Sequence, residues 1–385
     1  MTRISFVVLH SLLLLASHLA HAQEPLQQKI IFFNSRMTGA YFYSEATYQS
    51  PSWIQNSRQR LVVSDRNFTP GNSLALEYVS AEKGTWQAKI FYRPVRGIDF
   101  FKPATHLVFR IHVASETSAD ELPTVAVGDR DRPLSRALEL RRYIESFTKD
   151  RWLRVSIPVR DFSDTLGVGD VNGVIFSQPG GTSSPKLHRV YVDQIELSGA
   201  EVGNGMADAP KLLSAAGFEK HVDITWVRDT TVKYVKIYRS DDGRNFQPVA
   251  VQSPWINRFA DFTGVTGKEF HYRIAFLNEA YAESAFSNVV SASTKMMTDE
   301  EWLDMVQLAQ FRYYWEGAEP VSGLSLENIP GRRNMIASGA SGFGMMALLV
   351  GAERGFITRA QAVERFEKIT AFLEKADKFH GAFSH

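Results

Sequence analysis

Apolar residues recur at every second position in short runs between about Lys29 and Leu197. Ser73–Val79 reads SLALEYV, Trp86–Tyr92 WQAKIFY and His106–Val113 HLVFRIHV. Trp152–Ile157 (WLRVSI), Gly173–Ser177 (GVIFS) and Arg189–Leu197 (RVYVDQIEL) continue the pattern. A period of two sends alternate side chains to opposite faces, which is the signature of half-buried strands. Pro70-Gly71, Lys83-Gly84 and Pro179-Gly180-Gly181 separate these runs as turns. Many short strands at this spacing predict an all-β, jelly-roll-like sandwich over residues 23–200.

A polar, glycine-containing stretch, Glu201–Asp208, precedes Pro210, and a linker is placed at 201–210. Alternation resumes at Val222–Val227, Tyr234–Arg239 and Phe270–Phe276, and Ser287–Ser293 closes the unit. The region 211–294 therefore predicts a second, smaller sandwich of fibronectin type III kind, with Trp226 on an early strand. The period then changes. Thr298-Asp299-Glu300-Glu301 is a capping box, and Trp302, Met305, Val306, Ala309 and Tyr313 fall on one helical face. A second helix covers Ser341–Glu353 and is ended by Gly355. A third opens with the box Thr358 to Gln361 and is expected to bury Val363, Phe366, Ile369 and Leu373.

Residues 1–22 read as a secretory signal peptide: Arg3, an apolar run from Ile4 to Leu15, and Ala20-His21-Ala22 as the cleavage site. That run is shorter than the ~20 residues a membrane span needs. With 43 Lys+Arg against 42 Asp+Glu, the 385-residue chain carries a formal charge of +1. A balance of this kind gives no general attraction to nucleic acid or anionic lipid. The chain has no cysteine, which excludes disulfides, thiolate metal sites and a cysteine nucleophile. An exported chain without cysteine suggests a bacterial periplasmic or secreted protein.

Three segments near the end of the chain carry a family resemblance. They are FRYYWEGAEPVSGL (Phe311–Leu324), NMIASGASGFGMMALLVGAERGFITR (Asn334–Arg359) and FEKITAFLEKADKFHGAFSH (Phe366–His385). In this order they resemble the opening of the bacterial glycoamylase-like domain, the group that contains the endo-β-1,2-glucanases of glycoside hydrolase family 144. The resemblance implies an (α/α)6 toroid around a glycan cleft, with residues 298–385 as its incomplete N-terminal part. It also implies an inverting hydrolase of β-glucan whose catalytic domain is truncated here. The first sandwich resembles carbohydrate-binding modules through LEYVSAEKGTWQAKI and VYVDQIEL.

Glycoside hydrolysis needs an acid for the leaving oxygen and a second carboxylate. The resemblance places the principal acids downstream of His385, so the catalytic residues carry no numbers here. Glu316, beside Trp315 at a helix end, is the best carboxylate present, as a sugar-binding group before a catalytic one. His380 and His385 are candidates for binding sugar hydroxyls, against a weaker reading as metal ligands. The glycine-rich Ser338–Gly344 lacks a P-loop lysine and a preceding strand, so nucleotide binding is rejected and close helix packing or backbone approach by a sugar is expected. Asp129, Asp131 and Asp193 are weak candidates for a structural Ca²⁺, against solvated turns; no other cofactor is implied. Tyr41, Tyr43, Trp53 and Trp86 form either a glycan-stacking surface or core. The readings left open are an endo-β-1,2-glucanase, a related exo-acting or glucosyl-transferring enzyme, and a non-catalytic glycan-binding protein. In each the partner is a β-glucan polysaccharide or oligosaccharide, with no nucleic acid and no membrane once the signal peptide is cleaved.

Overall fold

The computed structural model describes residues 29–32, 39–91, 104–129, 132–167, 171–180, 184–199, 205–329 and 335–383. The signal peptide, residues 201–204 of the linker, Asp131 and His385 lie outside them. Among the described residues the first unit contains twelve strands, all paired antiparallel. They are β1 (Lys29–Phe32), β2 (Ser44–Gln49), β3 (Trp53–Ile54), β4 (Val63–Ser64), β5 (Ser73–Ser80), β6 (Thr85–Phe91), β7 (His106–Val113), β8 (Thr124–Gly128), β9 (Leu138–Glu139), β10 (Trp152–Pro158), β11 (Gly173–Ser177) and β12 (Ser184–Ser198). One sheet has the order β10-β7-β12-β5-β3, with β1 added to β12 and β4 to β5; the other runs β2-β6-β11-β8-β9. A single helical turn, α1 (Val159–Phe162), follows β10.

The alternation seen in the sequence becomes the core between these sheets. Leu74, Leu76 and Tyr78 of β5 meet Trp86, Ala88 and Ile90 of β6, with Leu107, Phe109 and Ile111 of β7 alongside. Trp86 is a core residue whose indole N–H donates to Ser80 Oγ at 3.0 Å, and its ring lies 4.4 Å from that of Tyr78. Tyr41 packs edge-on against Phe32. The four aromatics Tyr41, Tyr43, Trp53 and Trp86 therefore do not form one glycan-stacking surface, because burial of the large indole is worth more than its exposure.

β12 contains a one-residue bulge. Asp193 pairs with Arg110, but Glu196 pairs with Val108, and Gln194 between them has a left-handed φ of 56°. Val190 and Val192 face the core before the bulge; Ile195 and Leu197 do so after it. The extra residue flips the phase of the alternation and turns Glu196 outward.

The second unit pairs β13 (Leu212–Gly217), β14 (His221–Trp226) and β17 (Arg258–Phe262) in one sheet. The facing sheet has the order β16-β15-β18-β19, from β15 (Tyr234–Ser240), β16 (Gln247–Gln252), β18 (Glu269–Leu277) and β19 (Val290–Ser293). Trp226, Ile237, Tyr272 and Ile274 fill the space between them.

Three helices follow: α2 (Asp299–Trp315), α3 (Ser338–Glu353) and α4 (Arg359–Lys375). Both capping boxes form, Thr298 with Glu301 and Thr358 with Gln361. α3 starts three residues earlier than its apolar run suggests, and Gly355 ends it with φ 73°. The stripe Trp302–Tyr313 is not the buried one. Phe311 is buried, with Leu308 and Trp315 packed partly around it. Two glycines of α3 decide this: a Cβ on Gly351 would sit 2.4 Å from the Phe311 ring, and one on Gly344 would sit 3.1 Å from Tyr314. On α4, Phe366, Ile369 and Leu373 of the anticipated face pack into the helical core together with Ala362, and only Val363 of that face is exposed. A hairpin of β20 (Lys378–Phe379) and β21 (Ala382–Phe383) ends the described chain. Among the described residues, no helix is long and apolar enough to cross a membrane.

Gly342 and Gly351 provide opposite tests on one helix. Nothing lies within 4 Å of a Cβ added at Gly342, so Gly342→Ala should stabilise the helical segment by about 0.5–1 kcal/mol. Gly351→Val should destabilise it by about 1–3 kcal/mol through overpacking against Phe311. Hydrogen exchange of the α2–α4 amides checks both, with exchange in the sandwich strands unchanged.

Candidate functional site

α2 lies along the sheet of the second sandwich through polar contacts. Trp302 Nε1 donates to Glu219 at 2.9 Å, and Arg312 meets Asp223 at 3.4 Å. At the far end, Arg258 presents two nitrogens to the two oxygens of Glu316, each at 3.3 Å. Residues 302, 312 and 316 fall on one side of the helix, beside the Leu308–Phe311–Trp315 side that packs on α3.

This places the anticipated pair, Trp315 and Glu316, at the last turn of α2 with two guanidinium groups that pattern reading missed. Arg365 of α4 stands 4.3 Å over the Trp315 ring and donates to the Trp315 carbonyl at 3.3 Å. The ring also stacks on Phe311, with centroids 6.0 Å apart. Burial lowers the Arg365 pKa from its ordinary value, and nearby Glu364 opposes that. Arg365 was findable as a charged residue on the apolar stripe of α4. Arg258 carried no local signal, because it comes from a strand of another unit.

Glu316 faces a cation, and the next carboxylate, Glu319, accepts from the Val321 and Ser322 amides and from Ser322 Oγ. These commitments leave binding groups at the helix end rather than a free acid opposite a free base. His380 occupies the β20–β21 turn with φ 49° and packs on Phe379 at 4.3 Å. No hydrogen bond or ring contact joins it to Trp315 or Glu316 among the described residues. Gly339 and Gly342 face open space, whereas Gly344 and Gly351 let helices approach.

The two described calcium candidates are engaged by backbone amides, Asp129 within its own loop and Asp193 with a distant one. Asp129 Oδ1 accepts from the Arg132 amide at 2.8 Å. Asp193 is fully buried, taking amide hydrogens from Phe68 (2.9 Å), Thr69 (3.2 Å) and Gln194 (2.8 Å). Among the described residues no cluster of three His, Asp or Glu side chains is arranged for a metal ion.

α3 is apolar on nearly every side, and α2 and α4 cover only part of it. Phe343, Met346 and Leu349 are 69%, 65% and 62% exposed. Beside them a groove of about 860 Å³ runs between the helices, lined by Leu349, Val350, Ala362, Val363 and Phe366.

No protein-family model matches the chain. The proteins it resembles over most of its length are hydrolases of β-1,2-glucans. It is 48% identical over 387 residues to an exo β-1,2-glucooligosaccharide sophorohydrolase (non-reducing end) of Parabacteroides distasonis, a match covering 98% of this chain and 53% of that protein. The crystal structure of a β-1,2-glucanase from Parabacteroides distasonis superposes with a TM-score of 0.85 at 48% identity, over 94% of this chain and 52% of the other. The chain thus spans about half the length of the relatives it matches. The sequence pointed first to endo-acting glucanases; the relative's exo action is nearer to the second reading left open.

Two outcomes follow. Burial pushes the Asp193 carboxyl up to about 7, against the amides of Phe68, Thr69 and Gln194 that favour its ionised form. An unfolded aspartate titrates near 3.9, so the folded state holds an extra proton between about pH 4 and about pH 7. Stability from this group is full below that window and is lost as pH rises through about 7. Wild type should lose more melting temperature between about pH 5 and about pH 8 than Asp193→Asn does; equal losses would remove the assignment. For the exposed face of α3, the mature chain should self-associate and bind a hydrophobic dye. The same chain ending before Thr298 should be monomeric and dye-free by light scattering and fluorescence.

Proposed function

We propose that this chain is the sandwich-bearing portion of an exported glycoside hydrolase that acts on β-1,2-glucooligosaccharides from the non-reducing end, releasing disaccharide units. The supporting observation is the 48% identity that runs through 98% of the chain to an exo-acting sophorohydrolase. Export rests on the signal peptide read at residues 1–22. The helices α2–α4 begin the catalytic unit, and Trp315, Glu316, Arg258 and Arg365 line or brace its sugar-binding wall. The second unit is a fibronectin type III-like brace, and the first a carbohydrate-binding-module-like sandwich.

The chain by itself should release no reducing ends from β-1,2-glucan, because Glu316 is committed to Arg258 and hydrolysis needs two carboxylates across one cleft. The decisive experiment is a chimera in which this chain replaces its matched half of the Parabacteroides distasonis relative. Disaccharide as the first and sole early product from β-1,2-glucooligosaccharides is expected. An early ladder of mixed lengths with a rapid fall in viscosity would establish endo action instead. A folded chimera with no product from these substrates would overturn the reading.

A further inference from the structure

The two sandwiches meet on a buried, charged surface. Lys233, at the start of the second unit's four-stranded sheet, places Nζ 2.6 Å from Glu196 Oε1 and 3.2 Å from Glu279 Oε2. The side chains of Lys233 and Glu196 are 4% and 2% exposed. Tyr234 donates to Glu196 Oε2 at 2.8 Å, and the Tyr281 hydroxyl lies 2.5 Å from Gln194 Oε1. Burial holds both tyrosine hydroxyls well above their ordinary pKa, so they remain donors. Around them, the Phe68 and Tyr281 rings are 5.3 Å apart, and Arg110 stands 4.9 Å over Phe68. Ile30 of β1 packs into the cluster of Tyr234, Val251 and Leu277.

We propose that this surface is a permanent docking interface, so that the two sandwiches are one rigid unit and stay together when the chain between them is cut. The elements on each side are shaped for it. The β12 bulge turns Glu196 away from its own core, and Tyr281 holds a left-handed φ of 65° in a turn fixed by Asn278. A bulky residue keeps such a conformation only where its surroundings impose it. A buried lysine and glutamate are tolerable only when each satisfies the other. Independent swinging of the units would expose Phe68, Tyr234 and Leu277 together with both charges.

The test uses the full mature chain with a site-specific protease sequence, flanked by Gly-Ser spacers, inserted after Gly203. After cleavage the two pieces should co-elute as one folded particle in size-exclusion chromatography, also at high salt. Lys233→Met leaves the Glu196 carboxylate buried without its ammonium partner, its tyrosine donors remaining, and the cut variant should lose co-elution. Glu196→Gln combined with Lys233→Met removes both charges while nearly keeping volume, and should restore it. Circular dichroism of each separated piece reports whether it is still folded. Separation of the cut wild type into two folded pieces would overturn the proposal. So would a Lys233→Met variant that stays together, or a double variant that separates as readily as the single one.

Discussion

One inserted residue in β12 and the ion pair it exposes govern how this chain is assembled. Without the bulge at Gln194, alternation would send Glu196 into the sandwich core and Ile195 outward. With it, the same strand fills the first core with Ile195 and Leu197 and offers Glu196 to Lys233 at 2.6 Å. Removing one partner of a buried pair costs about 3–5 kcal/mol, far more than the 0–1 kcal/mol of an exposed pair. The gain over an apolar contact is directional. Tyr234, Tyr281 and Gln194 supply polar partners whose positions allow one relative placement of the two units.

The helical segment is attached by other means. Arg312–Asp223, Trp302–Glu219 and Arg258–Glu316 are partly exposed contacts, individually weak but spread along one side of α2. They fix the direction of α2, while Phe311 against Gly351 fixes its distance from α3. The second sandwich thereby reaches the end of α2, where Trp315 and Glu316 stand, through Arg258.

The surface of α3 marks the limit of what three helices enclose. A helix apolar on most of its circumference requires neighbours on most of its circumference. α2 and α4 supply two, and Phe343, Met346 and Leu349 remain in solvent. The relatives, of which this chain spans about half, have further chain with which to meet that requirement.

The sequence by itself determined what depends on neighbours along the chain. Alternation located β5, β7, β11, β14, β15 and β18 to within a residue or two, and the two Thr-initiated boxes located the starts of α2 and α4. These signals are local, since a strand's period and a helix's first-turn donors are satisfied within a few residues. Of the candidate residues, the sequence placed Trp315 and Glu316 at a helix end, and α2 does end there. Only the tertiary structure decided that Arg258 and Arg365 join them, that Phe311 rather than Trp302 is the buried residue of α2, and that Asp193 is spent on the amides of a loop over a hundred residues away. RVYVDQIEL reads as one continuous strand whether or not Gln194 is bulged. The bulge is held by Thr69 and the amides of Phe68 and Thr69 and directs Glu196 to Lys233 on another unit, and interactions between residues distant in the chain leave no period in either segment.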